Sequence, residues 1–210
     1  MGIFSAVLIM GPLLIAQWTL SRDAAERRSH ARTVKTFVAA LEAANPYAVG
    51  HSARVAELCR RMAPRLGVEG AGAQALNYAA LLHDIGLVAV TPALPKATGP
   101  VDVDYLVATS THPEAGVRLV QDITFLADAL PGILHHHERV DGLGYPGGLS
   151  GEVIPLFARI IAVADAFDSL TTTRSYRDAL TQTEAMVQLE SRIGSHLDAL
   201  KITPLRKVVS

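Results

Sequence analysis

The stretch AQALNYAALLHDIGL, residues 73–87, decides the fold. Ala73 to Leu82 is a compact run of strong helix formers. Gly86 lies just beyond its end, where helices commonly stop. The helix finishes on His83-Asp84, so an apolar element delivers an imidazole and a carboxylate to one point. Upstream, Val55, Leu58, Cys59 and Met62 form an apolar stripe in a helix that starts at Ser52 and ends at Leu66-Gly67. Further upstream, Asp23 to Ala44 has no Gly or Pro, and Val34, Phe37, Val38 and Leu41 fall on one helical face. Asn45-Pro46 ends that helix. Downstream, Val88 to Pro100 carries three prolines and reads as a loop. Asp102 or Asp104 caps a helix that runs towards His112, and Pro113 opens the turn through Val120. Ile123 to His137 is apolar and then histidine-rich. Asp141 to Gly151 holds five glycines and a proline and reads as a turn-rich loop. Pro155 to Leu170 is strongly apolar, and Asp178 to Ile193 is a last amphipathic helix. No strand alternation of useful length occurs. The expected fold class is all-α.

Length and composition bound the rest. The chain has 210 residues, enough for one domain and a modest extension. Half of it is hydrophobic, and the mean hydropathy is +0.27. Nineteen basic and 20 acidic residues leave a net charge of −1. There is no basic field for sequence-independent binding of a nucleic-acid polymer. High apolar content with low net charge excludes extended disorder. A single cysteine, Cys59, excludes an internal disulfide framework and a cysteine-based zinc finger. No internal repeat is evident.

The N-terminus accounts for part of the hydropathy. Residues 1–20 carry no charged side chain. The run from Ile3 to Leu20 would rise about 27 Å as a helix, against a bilayer core of about 30 Å. Trp18 sits near one end, where an amphipathic ring favours the interface. Arg22, Arg27, Arg28 and Arg32 follow, which places everything after Leu20 in the cytoplasm by the positive-inside rule. A cleaved signal peptide would need a basic n-region and a small-residue cleavage site, and neither is evident. A buried core helix is the other alternative.

The histidines point to chemistry. His51, His83, His112, His136 and His137, with Asp84 and Asp165, stand at helix ends or inside apolar runs. A single such histidine is most often a satisfied core or cap residue. Asp165, inside an apolar run, needs a cationic partner, and Arg159 would serve. Taken together, five imidazoles and two carboxylates suit a shared zinc, iron or manganese site. One aspartate bridges two ions through its two oxygens, and two cations clamp a phosphodiester and generate hydroxide at neutral pH.

His83-Asp84 resembles the HD pair of the HD superfamily of metal phosphohydrolases. His136-His137-Glu138, Asp141-Gly142 and Gly144-Tyr145-Pro146 resemble the HHExxDGxGYP block of the HD-GYP subfamily. The run IPLFARIIAVADAFDSLTTTRSY, residues 154–176, is similar to the segment that follows that block. The resemblance spans about Pro46 to Leu200. It implies an HD-superfamily helical bundle with a binuclear metal site, which the apolar run read above would precede with one transmembrane helix. It also implies hydrolysis of cyclic di-GMP to linear pGpG or GMP, with two iron or manganese ions. By the same resemblance, His51, His83, Asp84 and Asp165 hold one ion, and His112, His136 and His137 the other. Asp84 bridges, and His83 and Asp84 are the catalytic pair. Relatives with a third metal carry a glutamate where this chain has Tyr47, so two ions are expected. Arg174 and Arg177 match positions that hold substrate phosphate. Glu138 orients a ligand histidine or serves structurally, and Asp141, Gly142, Gly144, Tyr145 and Pro146 shape the loop beside the site.

One departure stands out. The family pattern HDxGK reads here as His83-Asp84-Ile85-Gly86-Leu87, so the lysine is replaced by Leu87. Lys96 is the nearby candidate to substitute. The resulting expectations are three. The first is a membrane-anchored cyclic di-GMP phosphodiesterase. The second is a degenerate domain acting as a nucleotide sensor or interaction module. The third is an HD phosphohydrolase acting on another nucleotide, against which the GYP block argues. The expected organisation is a membrane helix at 1–20, a helical linker at 21–44 and an HD-GYP domain at 45–210. The catalytic domain is expected on the cytoplasmic side of the inner membrane. A homodimer through 21–44 and a diguanylate cyclase (GGDEF) partner are the further expectations.

Overall fold

The structure, a computed structural model, describes residues 2–45, 48–90, 109–173 and 178–209, apart from the side chains of residues 2–9 and 12. Every regular element among the described residues is an α-helix or a 3-10 turn. The only β-type pairings among the described residues are the isolated bridges Asp141–Ser150 and Ile193–Leu197. Two compact units divide after Thr36, inside the segment read as a linker.

Helix α1 spans Gly2–Ala44 and ends one residue before Asn45, where the Asn-Pro pair was expected to stop it. In the first unit, Met10, Leu13, Leu14, Ile15, Trp18 and Leu20 are each more than half exposed. The Arg22 guanidinium carbon lies 5.4 Å from the Trp18 ring centroid, a cation–π contact. Among the described residues, the run long and apolar enough to cross a bilayer is Gly70–Val90. Half of that run is buried within the second unit, where it carries His83 and Asp84. The expected span Ile3–Leu20 falls partly on side chains outside the described set.

The second unit is built on α7 (Leu156–Thr171). Ala158, Ile160, Ile161, Val163, Ala164, Phe167 and Leu170 on this helix are all buried. A helix apolar on nearly every side belongs at the centre of a bundle. Each fully buried side chain such as Ile160 or Ile161 contributes about 1.5–3 kcal/mol. Around α7 pack α2 (His51–Met62), α3 (Gly70–Leu82), α6 (Leu130–His135), α8 (Gln182–Glu190) and α9 (Ala199–Val209). The stripe on α2 faces this core as expected: Val55, Cys59 and Met62 are fully buried.

Several element boundaries differ from the sequence reading. The helix expected from Ser52 starts at His51 and gives way to a 3-10 turn at Ala63–Leu66, because Pro64 cannot donate to an α-turn. Val88 to Val90, read as loop, belong to the short helix α4 (Leu87–Val90). Ile123 to His137 divides into a 3-10 segment, Thr124–Ala129, and α6, which opens with Pro131 in its first turn. Helix α8 starts at a capping box formed by Thr181 and Glu184. The terminal helix α9 was not anticipated. It holds Pro204 inside, yet buries Ile202, Leu205 and Val208, so packing overrides the local penalty. The loop from residue 91 to Pro100 and the caps at Asp102 or Asp104 lie outside the described residues.

One close approach positions the site. Helix α5 (His112–Val120) packs against α4 and α6. A Cβ on Gly86 would lie 1.9 Å from the His112 carbonyl oxygen and 2.5 Å from the Gly116 nitrogen. Only glycine allows the chain just past Asp84 to sit against the start of α5.

Candidate metal centre

Each expected donor comes from a helix end or a buried helix face. His51 opens α2, His83 caps the C-terminus of α3 with Asp84 next to it, and His112 opens α5. His136 caps the C-terminus of α6 with His137 after it, and Asp165 lies on α7. The structure brings all seven together in two groups. His51, His83 and Asp165 form one, and Asp84, His112, His136 and His137 the other. Within each group, one donor atom per residue lies within 4.8 Å of the rest.

Asp84 faces both groups. Its Oδ2 lies 3.4 Å from His83 Nε2 and 3.8 Å from His51 Nε2. Its Oδ1 lies 3.2 Å from His112 Nε2 and 3.8 Å from His136 Nε2. Asp165 Oδ1 lies 3.2 Å from His51 Nε2. The arginine considered for Asp165 goes elsewhere: Arg159 donates to Asp198 at 2.8 Å.

The outer nitrogens fix the rings. His83, His112 and His136 each place Nδ1 against the backbone carbonyl three residues back: Ala80 at 2.8 Å, Thr109 at 2.6 Å and Ile133 at 2.7 Å. A carbonyl only accepts, so Nδ1 carries the proton and Nε2 presents a lone pair. His112 Nε2 and His136 Nε2 are then 3.2 Å apart, both as acceptors. His83 Nε2 is buried with no hydrogen-bond partner. Facing lone pairs and an orphaned buried acceptor are costly unless a cation sits among them. Five imidazoles with two carboxylates are a donor set for transition metals. The residues present therefore fit divalent metal ions.

Electrostatics agree with that. Burial pushes His137 down to about 4 and His136 well below the ordinary imidazole value, so both stay neutral at pH 7. Burial opposes the charge on Asp84, but His83, His112 and His136 hold its carboxyl well below the usual range. Asp165 is likewise lowered, with His51 and His83 outweighing burial. Burial also opposes charge on His51, yet its hydrogen bonds to Asp165 and Asp168 outweigh that and raise it to about 10.

Two residues of this network were not singled out for a role from the sequence. Asp168 accepts from His51 Nδ1 at 2.7 Å, and Arg54 clamps both Asp168 oxygens at 2.6 and 3.0 Å. The available signal was spacing: Asp165 and Asp168, like His51 and Arg54, are three apart and share a helical face.

Glu138 takes the structural one of the two roles considered for it. Its carboxylate accepts from the Gly147 and Leu149 backbone nitrogens at 2.7 and 3.0 Å, and His135 Nδ1 lies 3.3 Å away. It anchors the loop and contacts no ligand-position histidine, because the chain folds back across it. A Cβ on Gly144 would lie 2.3 Å from the Arg139 nitrogen, so this loop too closes on a glycine. Tyr145 stacks on His137 with ring centroids 4.8 Å apart. Asp141 pairs with Arg139 and accepts from Leu143 N at 3.0 Å. His196 contacts Arg139 and lies away from the cluster, and His30 lies by Glu26. Arg174, Arg177, Lys96 and Tyr47 lie outside the described residues.

The HD domain family profile matches residues 35–200. Among curated proteins, the chain is 33% identical over 177 residues to the 3'3'-cGAMP-specific phosphodiesterase 3 of Vibrio cholerae, covering 84% of this chain and 38% of that protein. It is 36% identical over 147 residues to the cyclic di-GMP phosphodiesterase response regulator RpfG of Xanthomonas campestris, covering 69% and 39%. The chain thus spans well under half the length of these relatives. Among solved structures, Bd1817, a HDG"Y"P protein from Bdellovibrio bacteriovorus, matches with a TM-score of 0.63 at 25% identity, covering 76% of this chain and 51% of that chain. The phosphodiesterase PgpH HD domain of L. monocytogenes shares the fold, with a TM-score of 0.61 at 15% identity, covering 82% and 94%.

Proposed function

Since the chain belongs to the HD domain family and carries the HD-GYP block, we propose that it is a metal-dependent phosphodiesterase opening cyclic di-GMP to linear pGpG or GMP. The observation that carries this reading is Asp84, whose two carboxylate oxygens face different histidine groups. In this reading His51, His83, Asp84 and Asp165 hold one divalent cation, iron or manganese. His112, His136 and His137 hold the second, with Asp84 shared. Such a pair supplies Lewis acidity and a hydroxide at neutral pH.

The chain's own residues do the rest. The carbonyls of Ala80, Thr109 and Ile133 hold three imidazoles with Nε2 aimed inward before substrate arrives, which is preorganisation. Arg174 and Arg177 hold the phosphodiester oxygens, for which a guanidinium fork is suited. The loop from Glu138 to Ser150 closes over His137 through Tyr145. The named activities of the relatives, on cyclic di-GMP and on 3'3'-cGAMP, support a cyclic dinucleotide substrate.

Leu87 favours a second reading, in which the domain binds nucleotide but turns it over weakly and acts as a sensor or interaction module. It stands where the family pattern has lysine, one turn past His83. The exposed apolar side chains from Met10 to Leu20 support anchoring in the cytoplasmic membrane, with the second unit in the cytoplasm. Pairing through 21–44 and a diguanylate cyclase partner belong to the same proposal. The deciding experiment incubates the full chain, loaded with Mn²⁺ or Fe²⁺, with cyclic di-GMP and follows pGpG and GMP by chromatography. Turnover supports the enzyme. Binding without product in either metal supports the sensor.

A further inference from the structure

His51 differs from the other histidines of the cluster in what holds it. His83, His112 and His136 each rely on a carbonyl of their own segment, three residues back. Ahead of His51 the backbone turns through Gly50 in the left-handed conformation, φ 72, and the Gly50 N–H is taken by Glu42 at 2.8 Å. The partner of His51 Nδ1 is instead the Asp168 carboxylate, from a helix 117 residues further along. Asp168 is itself only 4% exposed and is gripped at both oxygens by Arg54.

We infer that Asp168 and Arg54 form a positioning pair that sets the orientation and donor strength of His51 towards a metal ion, with Arg54 holding the Asp168 carboxylate in place. This rests on the metal reading of the proposed function. The four residues interlock in two turns of helix. On α2, His51 and Arg54 are three apart; on α7, Asp165 and Asp168 are three apart. Asp165 therefore meets His51 Nε2 at 3.2 Å from one turn of α7, while Asp168 meets Nδ1 at 2.7 Å from the next. One helix grips both edges of the same ring.

The chemistry of the pair follows from its charges. A carboxylate on Nδ1–H makes Nε2 a stronger donor than a carbonyl does. A bare buried carboxylate would also draw the Nδ1 proton towards itself and leave the ring loosely held. The bidentate Arg54 guanidinium offsets that charge and fixes both carboxylate oxygens. Asp168 then stays aimed at Nδ1, and the ring stays aimed with it. The cost of burying Asp168 is offset by three charge-assisted hydrogen bonds.

The test titrates metal-stripped full chain with Mn²⁺ by calorimetry, for wild type, Asp168→Asn and Arg54→Gln. Wild type should show two binding events. Asp168→Asn should weaken one of them by about 10–100-fold, the typical effect of losing such an outer partner, and leave the other in place. Arg54→Gln should weaken the same event by less, and Arg54→Lys should recover part of the loss. A second readout is the His51 Nδ1–H proton resonance of the metal-stripped chain. It should lie far downfield in wild type and move upfield in Asp168→Asn. Unchanged affinities in both variants, or equal weakening of both events, would overturn the positioning role. If Asp168→Asn does not fold, Arg54→Gln and Arg54→Lys decide by the same criterion. A wild-type chain that takes up no Mn²⁺ or Fe²⁺ would instead overturn the metal reading itself.

Discussion

The two sides of the cluster are built by different means. Around His112 and His136, main-chain carbonyls three residues back in the chain orient the rings. Around His51, two side chains from separate helices do so. The first kind of support survives any packing that keeps the local backbone intact. The second exists only when α2 and α7 are in register. The difference separates local from tertiary control of the same chemistry, and four measurements break or sharpen it.

Asp84→Ala should have the largest effect, because Asp84 belongs to both sides. We expect both metal ions to be lost and hydrolysis to fall below detection, read by elemental analysis of the purified chain and by product chromatography. His196→Ala, away from the cluster, should keep both ions. Retention of one ion in Asp84→Ala would mean that the sides are independent.

Leu87→Lys comes next. Phosphodiester cleavage builds negative charge, and one missing donor typically costs about 10²–10³ in rate, or ~3–4 kcal/mol. The substitution should raise kcat more than it changes KM, since the contact matters most in the transition state. Steady-state hydrolysis of cyclic di-GMP by both proteins checks this; an unchanged kcat means that another group already supplies the charge.

Gly86→Ala attacks the locally held side. Its Cβ would press on the His112 carbonyl, where backbone must move. Overpacking of this kind costs about 1–3 kcal/mol. The measurement is urea denaturation of the metal-stripped protein, compared with an alanine at Gly11, which meets nothing within 4 Å.

The smallest effect is on pH. His51 is raised to about 10, so its charged form adds stability that is fully present below 6.5 and fades as pH rises through 10. His137 is lowered to about 4, so the unfolded chain gains its proton first and stability falls as pH drops from 6.5 towards 4. The metal-stripped protein should therefore melt highest near pH 6.5, by roughly 5 °C over pH 9 or pH 4.5. His51→Gln should flatten the alkaline arm alone. Metal uptake should run the other way on that arm, strengthening with pH as the proton on His51 is displaced.

Much of the fold was legible because its signals are local. The apolar period on Ala73–Leu82 and Pro155–Leu170, the Asn45-Pro46 stop and the glycine-rich loop all act within a turn or two. Helix α9 escaped because Pro204 argues against a helix locally, whereas Ile202, Leu205 and Val208 find a core only once α2, α7 and α8 have assembled. Asp168 was visible as an acidic residue on an apolar helix, but nothing near it in the chain named its partner.

By itself, the sequence determined an all-helical chain in which five histidines and two aspartates, of the right types for metal, fall at helix ends or on buried helix faces. It also determined the family, since the HD pair and the GYP block are contiguous strings. Only the tertiary structure decided the pairings. It directs Arg159 to Asp198 and not to Asp165, sets Glu138 on the Gly147 and Leu149 amides, and hands His51 to Asp168. The physical reason is range. Periodicity and capping are settled between residues three or four apart, whereas a hydrogen-bond partner 39 or 117 residues away is chosen by how whole helices pack.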